Sequence, residues 1–333
     1  MKINLTLIVI FFFSSTSAQQ IQLLTNNNKT SIRGLSVVND QIAWVSGSNG
    51  TVGKSTDGGN TWKWTVVKNF EKRDFRDIEA FDENTAIIMA IAEPANILKT
   101  VDGGNTWKTV FIDSTKGMFL DAMDFTGKKG VVIGDPVNQK IFSAYTEDGG
   151  DSWKISPGLS NIAMPDGEAF FASSGTNIKV TKKSFTPIFV SGGTRSSIYN
   201  SATFQHILPI EQGRTSTGAN SIALSPKNEM EGIVVGGDFQ NDTSTRNNCV
   251  LFSLLPYSVH SPMTAPHGYR SCVEYISENR LVSCGTSGVD ISEDGGMNWK
   301  LISKESFHVC AKAKEGNAVF LAGINGKIAR LIW

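Results

Sequence analysis

Charged side chains that suit acid–base or anion-binding chemistry recur along the chain. Two carboxylates in one pocket are what glycoside hydrolysis needs, because one donates a proton and the other acts as base or nucleophile. The candidates for that catalytic pair are Asp121, Glu168 and Asp238. The guanidinium group of arginine binds carboxylates and phosphates through paired hydrogen bonds. The candidates for binding an anionic or sugar-like ligand are Arg33, Arg76, Glu168, Arg195, Asp238, Arg270 and His308.

A repeated Asp-Gly-Gly box indicates the elements that position these residues. The box fills residues 55–62, 100–107, 146–153 and 292–299. Its first three aspartates follow one another after 45 and 46 residues, and the fourth follows after 146, close to three further steps. We therefore expect two degenerate boxes near positions 197 and 245. A period of about 40–50 residues, with four short strands in each unit, is typical of a propeller blade.

The repeat predicts an all-β fold, a seven-bladed β-propeller of four-stranded antiparallel blades, as one domain over residues 19–333. Short β-rich runs bounded by Gly, Asn and Asp indicate antiparallel strands, and no amphipathic helix is evident after residue 20. The last unit ends after its third strand. We expect residues 20–24 to supply the fourth strand of blade 7, which would close the ring and leave no open sheet edge.

Blade geometry sorts the charged residues by face. Loops that lead into a blade's first strand, or join its second strand to its third, lie on one face, which we call the mouth face. The boxes join third to fourth strands on the opposite face, the box face. The residues predicted near the starts of the first strands are Arg33, Arg76, Asp121, Glu168, Asn220, Arg270 and His308. The turns between second and third strands contain Glu93, Asp135, Arg195 and Asp238, and Arg214 lies in the loop leading into blade 5.

This charged mouth has two interpretations. It is either a polar pocket for a ligand or a network of buried ion pairs that closes a narrow channel. The corresponding functions are a binding or assembly module without chemistry, and a carbohydrate-active enzyme that pairs Glu168 with Asp121 or Asp238. The box aspartates are interpreted as turn-stabilising, since an active site needs only one copy of each role.

The composition and the N-terminal residues predict where the protein is located and which classes of partner it binds. Residues 1–18 resemble a secretory signal, with Lys2 before an apolar run and a small-residue cleavage site, so we expect a periplasmic or secreted protein. The apolar run is too short to predict membrane insertion. Thirty-one basic and 31 acidic residues balance, which argues against nucleic acid as a partner. No metal-ligand or cofactor motif is evident, so no cofactor is expected.

Four cysteines, Cys249, Cys272, Cys284 and Cys310, lie in the last three predicted blades. An exported protein permits disulfides, but buried cysteine is also a common core residue. We favour buried thiols and leave a bridge as the alternative.

The boxes resemble the Asp-box, or BNR, repeats of sialidase-like propellers. A narrower resemblance, to bacterial photosystem II stability/assembly factor-like proteins, rests on residues 120–125, 134–136, 167–176, 191–195, 235–238, 268–271, 285–288 and 326–330. That resemblance implies a propeller that binds or assembles an unidentified protein partner. Some of these relatives are labelled oxidoreductases, but this chain lacks a dinucleotide fingerprint.

The resemblance to sialidases implies an arginine triad, a tyrosine nucleophile with a glutamate partner, and an Arg-Ile-Pro segment. Tyr269 and Tyr275 are the tyrosines near the last blades. The segment is absent, because Arg33 is followed by Gly34 and Leu35.

Overall fold

The computed structural model of the protein describes residues 19–25, 28–201 and 203–333. Seven antiparallel sheets form seven blades, and the first strands of successive blades contact one another around a closed ring. The only helical elements in the described ranges are two short 3-10 turns, Leu159–Asn161 and Ile324–Gly326. The predicted propeller is therefore confirmed, whereas the predicted signal peptide lies outside the described residues.

The strands of each blade are named A to D from the axis outwards. Blade 1 contains Ile32–Val37, Ala43–Gly47, Thr51–Ser55 and Lys63–Val66. Blade 2 contains Phe75–Ala80, Ala86–Ala90, Ala95–Thr100 and Lys108–Asp113. Blade 3 contains Leu120–Thr126, Lys129–Val137, Lys140–Thr146 and Lys154–Ile155. Blade 4 contains Ile178–Val180, Pro187–Val190, Ser197–Ser201 and Phe204–Ile207.

The remaining blades follow the same order. Blade 5 contains Thr217–Leu224, Glu231–Asp238, Cys249–Leu254 and Tyr257–His260. Blade 6 contains Cys272–Tyr275, Leu281–Gly285, Gly288–Ser292 and Lys300–Ser303. Blade 7 contains Val309–Lys312, Val319–Ala322, Ile328–Ile332 and, as its outermost strand, Gln20–Thr25. Two short strands, Glu168–Ala169 and Gly192–Gly193, extend the sheet of blade 5 towards blade 4.

Burial decreases from the inner strands to the outermost one. All residues of strand B in blade 2, Ala86–Ala90, are buried, because both faces of that sheet pack against neighbouring blades. Strand D of the same blade, Lys108–Asp113, is partly or fully exposed. None of the described helices is long and apolar enough to cross a membrane.

Each Asp-Gly-Gly box forms a tight turn that its aspartate stabilises. In blade 2, Asp102 Oδ1 accepts hydrogen bonds from the backbone N–H groups of Asn105 (3.0 Å) and Thr106 (2.9 Å). The two glycines that follow Asp102 have φ angles of 74° and 80°, which residues with a Cβ rarely adopt. Trp107 then packs edge-on against Trp44 of blade 1, with ring centroids 6.5 Å apart. The box thus closes a turn and joins neighbouring blades.

Stability conferred by the box of blade 2 should depend on pH. Hydrogen bonds from Thr106 lower the pKa of Asp102 to about 2. Because the folded-state pKa is depressed, the stabilisation is complete above the ordinary pKa near 4 and is lost as the pH falls towards 2. We expect Asp102→Asn to melt below wild type at pH 7 and the difference to shrink on acidification. Thermal melts from pH 7 to pH 2 test this.

An exposed acid provides the matched control for that series. Glu83→Gln removes one charge from the exposed loop between strands A and B of blade 2 and should leave the melting temperature nearly unchanged. A difference between wild type and Asp102→Asn that grew on acidification would contradict the assigned role of the carboxylate.

The N-terminal strand closes blade 7 as predicted. Gln20–Thr25 pairs antiparallel with Ile328–Ile332, from Gln20 opposite Ile332 to Thr25 opposite Ile328. Ile21 and Leu24 pack against the core shared by blades 1, 6 and 7.

Two details of the predicted spacing are wrong. Strand A of blade 4 is Ile178–Val180 and does not start near Glu168, because the chain first crosses the channel. Strand C ends at Ser201 in blade 4 and at Leu254 in blade 5, in both cases after the expected positions 197 and 245. Long loops lead into blades 4 and 5, so equal steps from one box to the next underestimate both positions.

Candidate functional site on the mouth face

The mouth of the channel is closed by residues 171–177, which we call the plug. Arg33 of blade 1 donates to the Ser173 carbonyl and Arg76 of blade 2 donates to the Ala172 carbonyl, both at 3.1 Å. Farther along the plug, Ser174 donates to the carbonyl of Ser271 in the loop before blade 6 at 2.7 Å. One segment of chain therefore contacts blades from opposite sides of the ring and lies across the axis.

Glu168 is fully enclosed by hydrogen-bond donors beside the plug. Its carboxylate accepts from Tyr199 at 2.6 Å, from Arg195 at 2.7 Å and from the Ser191 hydroxyl. The Glu168 side chain has no solvent exposure. Burial, followed by the charge of Glu168, raises the pKa of Tyr199 to about 12. The pairing of a tyrosine with a glutamate matches the sialidase expectation, but it uses Tyr199 and is closed to substrate.

Asp121 lies at the start of strand A in blade 3 and is completely buried. Neither of its carboxylate oxygens has a hydrogen-bond partner among the described residues. Burial and then the neighbouring Asp135 raise the pKa of Asp121 well above its ordinary value. Asp135 accepts from the Phe170 N–H at 2.8 Å, and burial raises its pKa to about 6. Asp135 thus anchors the residue that immediately precedes the plug.

Asp238 is bound from two sides at the end of strand B in blade 5. Arg214 donates to one carboxylate oxygen at 2.8 Å, and the Gln240 N–H donates to the other at 3.0 Å. Burial raises the pKa of Asp238, but hydrogen bonds from Ser216 and Gln240 outweigh it and leave the pKa below its ordinary value. This carboxylate is ionised, and both of its oxygens already accept hydrogen bonds from within the protein.

Arg270 does not line an open mouth. Its side chain has no solvent exposure, and it makes two hydrogen bonds to Asp290, one of them at 2.7 Å from Nε. Its remaining donors bind the carbonyls of Tyr269 and His267 and the Ser287 hydroxyl at 2.8–2.9 Å. The guanidinium therefore has little capacity left for a ligand.

His308 is also buried, and its Nδ1 lies 2.9 Å from the Ile32 carbonyl. Burial and then the charge of Arg33 lower the pKa of His308 to about 4, so the ring is neutral at pH 7. Burial and the adjacent Arg76 likewise lower the pKa of Arg33 to about 10.

Among the arginines that solvent reaches on the mouth face, we call four the arginine rim: Arg76, Arg195, Arg214 and Arg246. The side chain of Arg214 is 59% exposed, the most of the three rim arginines that form ion pairs. A polar pocket of about 330 Å³ lies between Arg214 and Arg246 and is bordered by the loop of residues 209–214. One oxygen of Glu211 in this loop is buried and has no partner among the described residues.

Sequence reasoning missed the partners of the predicted residues. Asp290 lies in strand C of blade 6, just before the fourth box, and its proximity to Arg270 could not be inferred from that box. Arg246 belongs to the irregular loop between strands B and C of blade 5, and its charge beside Asn247 and Asn248 was the available signal. The described residues contain no cluster suited to a metal ion.

Comparisons with known proteins agree with this architecture. Residues 63–165, from strand D of blade 1 through blade 3, match the family described as photosynthesis system II assembly factor YCF48. No curated protein matches the chain. A structure of YCF48 bound to D1 peptide is 17% identical, with a TM-score of 0.66 over 96% of this chain and 98% of that chain.

Two further structures share the fold. YCF48 from Cyanidioschyzon merolae is 14% identical, with a TM-score of 0.60 over 94% of this chain and 98% of that chain. The Neurospora crassa Pan2 WD40 domain is 12% identical, with a TM-score of 0.61 over 91% and 89% of the two chains. With the seven blades, the closing N-terminal strand and the family match over residues 63–165, the chain is a β-propeller that resembles the photosystem II assembly factors of the YCF48 type.

Proposed function

We propose that this protein is an exported binding or assembly module that holds an anionic partner on its arginine rim and performs no chemistry of its own. The observation that carries the proposal is the contrast between the two sets of charges on the mouth face. Asp121 and Glu168 are sealed from solvent, whereas Arg214 and Arg246 flank an open polar pocket.

Geometry disfavours the carbohydrate-active alternative. A glycosidase needs its acid and base on either side of a bond in a bound sugar. Here Asp121 and Glu168 are both buried, and the Glu168 carboxylate already accepts hydrogen bonds from Tyr199, Arg195 and Ser191. A substrate therefore has no access to either carboxylate.

Electrostatics favour an anionic partner at the rim. Guanidinium groups bind carboxylates through paired hydrogen bonds, and exposed arginines cost little to desolvate. An acidic peptide offers such carboxylates. The YCF48 structure with a D1 peptide supports a peptide partner, and the predicted signal at residues 1–18 supports export.

Charge reversal on each face tests this function. We would screen protein starting at Gln19 against acidic peptides and against acidic and neutral glycans, and then titrate the best ligand. Arg246→Glu should weaken binding at least about tenfold, because it replaces an attraction at the pocket by a repulsion. Lys63→Glu makes the same charge change on the box face and should alter the affinity less than about twofold. Equal affinities for both variants, or turnover of a glycan, would overturn the proposal.

A further inference from the structure

Three of the four cysteines converge where blade 6 meets blade 7. Cys272 begins strand A of blade 6, and Cys284 lies opposite it in strand B. Cys310 lies in strand A of blade 7. All three are free thiols with at most 1% exposure. Cys249, the fourth, is buried in blade 5 within a separate part of the core.

One pair of sulfur atoms joins two blades. Cys310 Sγ lies 3.6 Å from Cys272 Sγ, and the Cys272 thiol also donates to the Cys310 carbonyl at 3.3 Å. The two residues belong to first strands that contact each other beside the axis. Sulfur atoms at van der Waals separation on adjacent strands need only a small side-chain movement to reach the bonding distance of about 2.05 Å.

We propose that Cys272 and Cys310 form a disulfide between blades 6 and 7 when the protein folds in the presence of a disulfide oxidant such as glutathione disulfide. The Cys272 thiolate attacks one sulfur of the oxidant, forming a mixed disulfide and expelling one thiolate. Cys310 then loses its proton to solvent and attacks Cys272 Sγ, which expels the second thiolate. The protein loses two protons and two electrons, and the oxidant becomes two thiols.

The environments of the two thiols suit these roles. Burial raises the pKa of Cys272, but hydrogen bonds from Cys284, Cys310 and Thr176 outweigh it and lower the pKa well below its ordinary value. Burial raises the pKa of Cys310 well above its ordinary value. These shifts describe the docked blades, where Cys272 is the more acidic of the two thiols and the thiolate is the reactive form.

Burial also determines when the bond forms. Because neither sulfur is reachable in the folded ring, the oxidant must react with Cys272 during folding, and Cys310 completes the bond as blade 7 docks against blade 6. The bond would close a long loop that includes the rest of blade 6, and so reduce the freedom of the unfolded chain. It would stabilise the ring beside the blade that the N-terminal strand completes.

Trypsin places every cysteine on a different peptide, which makes the bond directly observable. The four peptides are residues 247–270, 271–280, 281–300 and 305–312. Protein refolded with glutathione disulfide and glutathione, treated with iodoacetamide to block free thiols and then digested with trypsin without reductant, should yield peptide 271–280 linked to 305–312. Four free thiols after refolding, or a link from 271–280 to 281–300, would overturn the proposal.

Serine variants provide the second readout. Oxidised wild type should melt roughly 3–10 °C above the same protein treated with reductant. Cys310→Ser should show no such difference, whereas the matched control Cys249→Ser should retain it. Retention of the full difference by Cys310→Ser would also refute the proposed pair.

Discussion

Protein lacking residues 19–25 should melt far below protein that begins at Gln19. The deletion removes the outermost strand of blade 7 and exposes the edge of Ile328–Ile332. It also removes Ile21 and Leu24, which are partly buried against the core, where even full burial of an aliphatic side chain contributes only about 1.5–3 kcal/mol. With the lost strand hydrogen bonds, we expect a loss of roughly 5 kcal/mol.

Calorimetric melts at equal concentration check this result, and point variants separate packing from pairing. Leu24→Ser should lower the melting temperature because Leu24 packs inward, whereas Leu23→Ser should change little because Leu23 is 53% exposed. An unchanged melting temperature in the deletion would mean that the ring does not depend on its N-terminal strand.

Arg270→Leu should be the most destabilising single substitution on the mouth face. Leucine cannot replace the hydrogen bonds to Asp290, which would remain buried with its charge no longer paired by arginine. Removing one partner of a buried ion pair costs about 3–5 kcal/mol. Chemical denaturation of wild type and variant measures the difference.

The control for Arg270→Leu is Arg246→Leu, the same substitution at an exposed position of the mouth face, which should leave stability nearly unchanged. If Arg270 were a ligand-binding group instead, Arg270→Leu would keep wild-type stability and lose only affinity. That outcome would support the ligand-binding role that the sequence predicts for Arg270.

The repeat made the fold predictable from sequence because each box combines a turn with a packing contact. Asp102 caps its turn and Trp107 packs on the preceding blade, so the boxes report both the period and the blade order. The closing strand was predictable for a similar reason, since a final unit with three strands needs a fourth from elsewhere.

The repeat did not predict whether the mouth of the channel is open or closed. Its closure depends on the plug, seven residues at 171–177 that carry no repeat signal. Pairing is equally hidden: Asp290 stands two residues before the box of blade 6, but nothing in that box indicates Arg270 as its partner, and only the fold of blade 6 brings the two together. The sequence predicted a face for each charged residue. The contacts formed in the folded ring determine which of these residues are exposed to solvent.

The most direct test of the proposed function is one titration series with two variants of the mouth face. The best ligand from the screen would be titrated into Arg246→Glu, on the exposed rim, and into Glu168→Gln, inside the sealed network, with folding of both verified by circular dichroism. We predict that Arg246→Glu loses at least about tenfold in affinity while Glu168→Gln binds as wild type does. Loss of binding by folded Glu168→Gln, with Arg246→Glu unaffected, would contradict the proposed function and place the functional site inside the mouth.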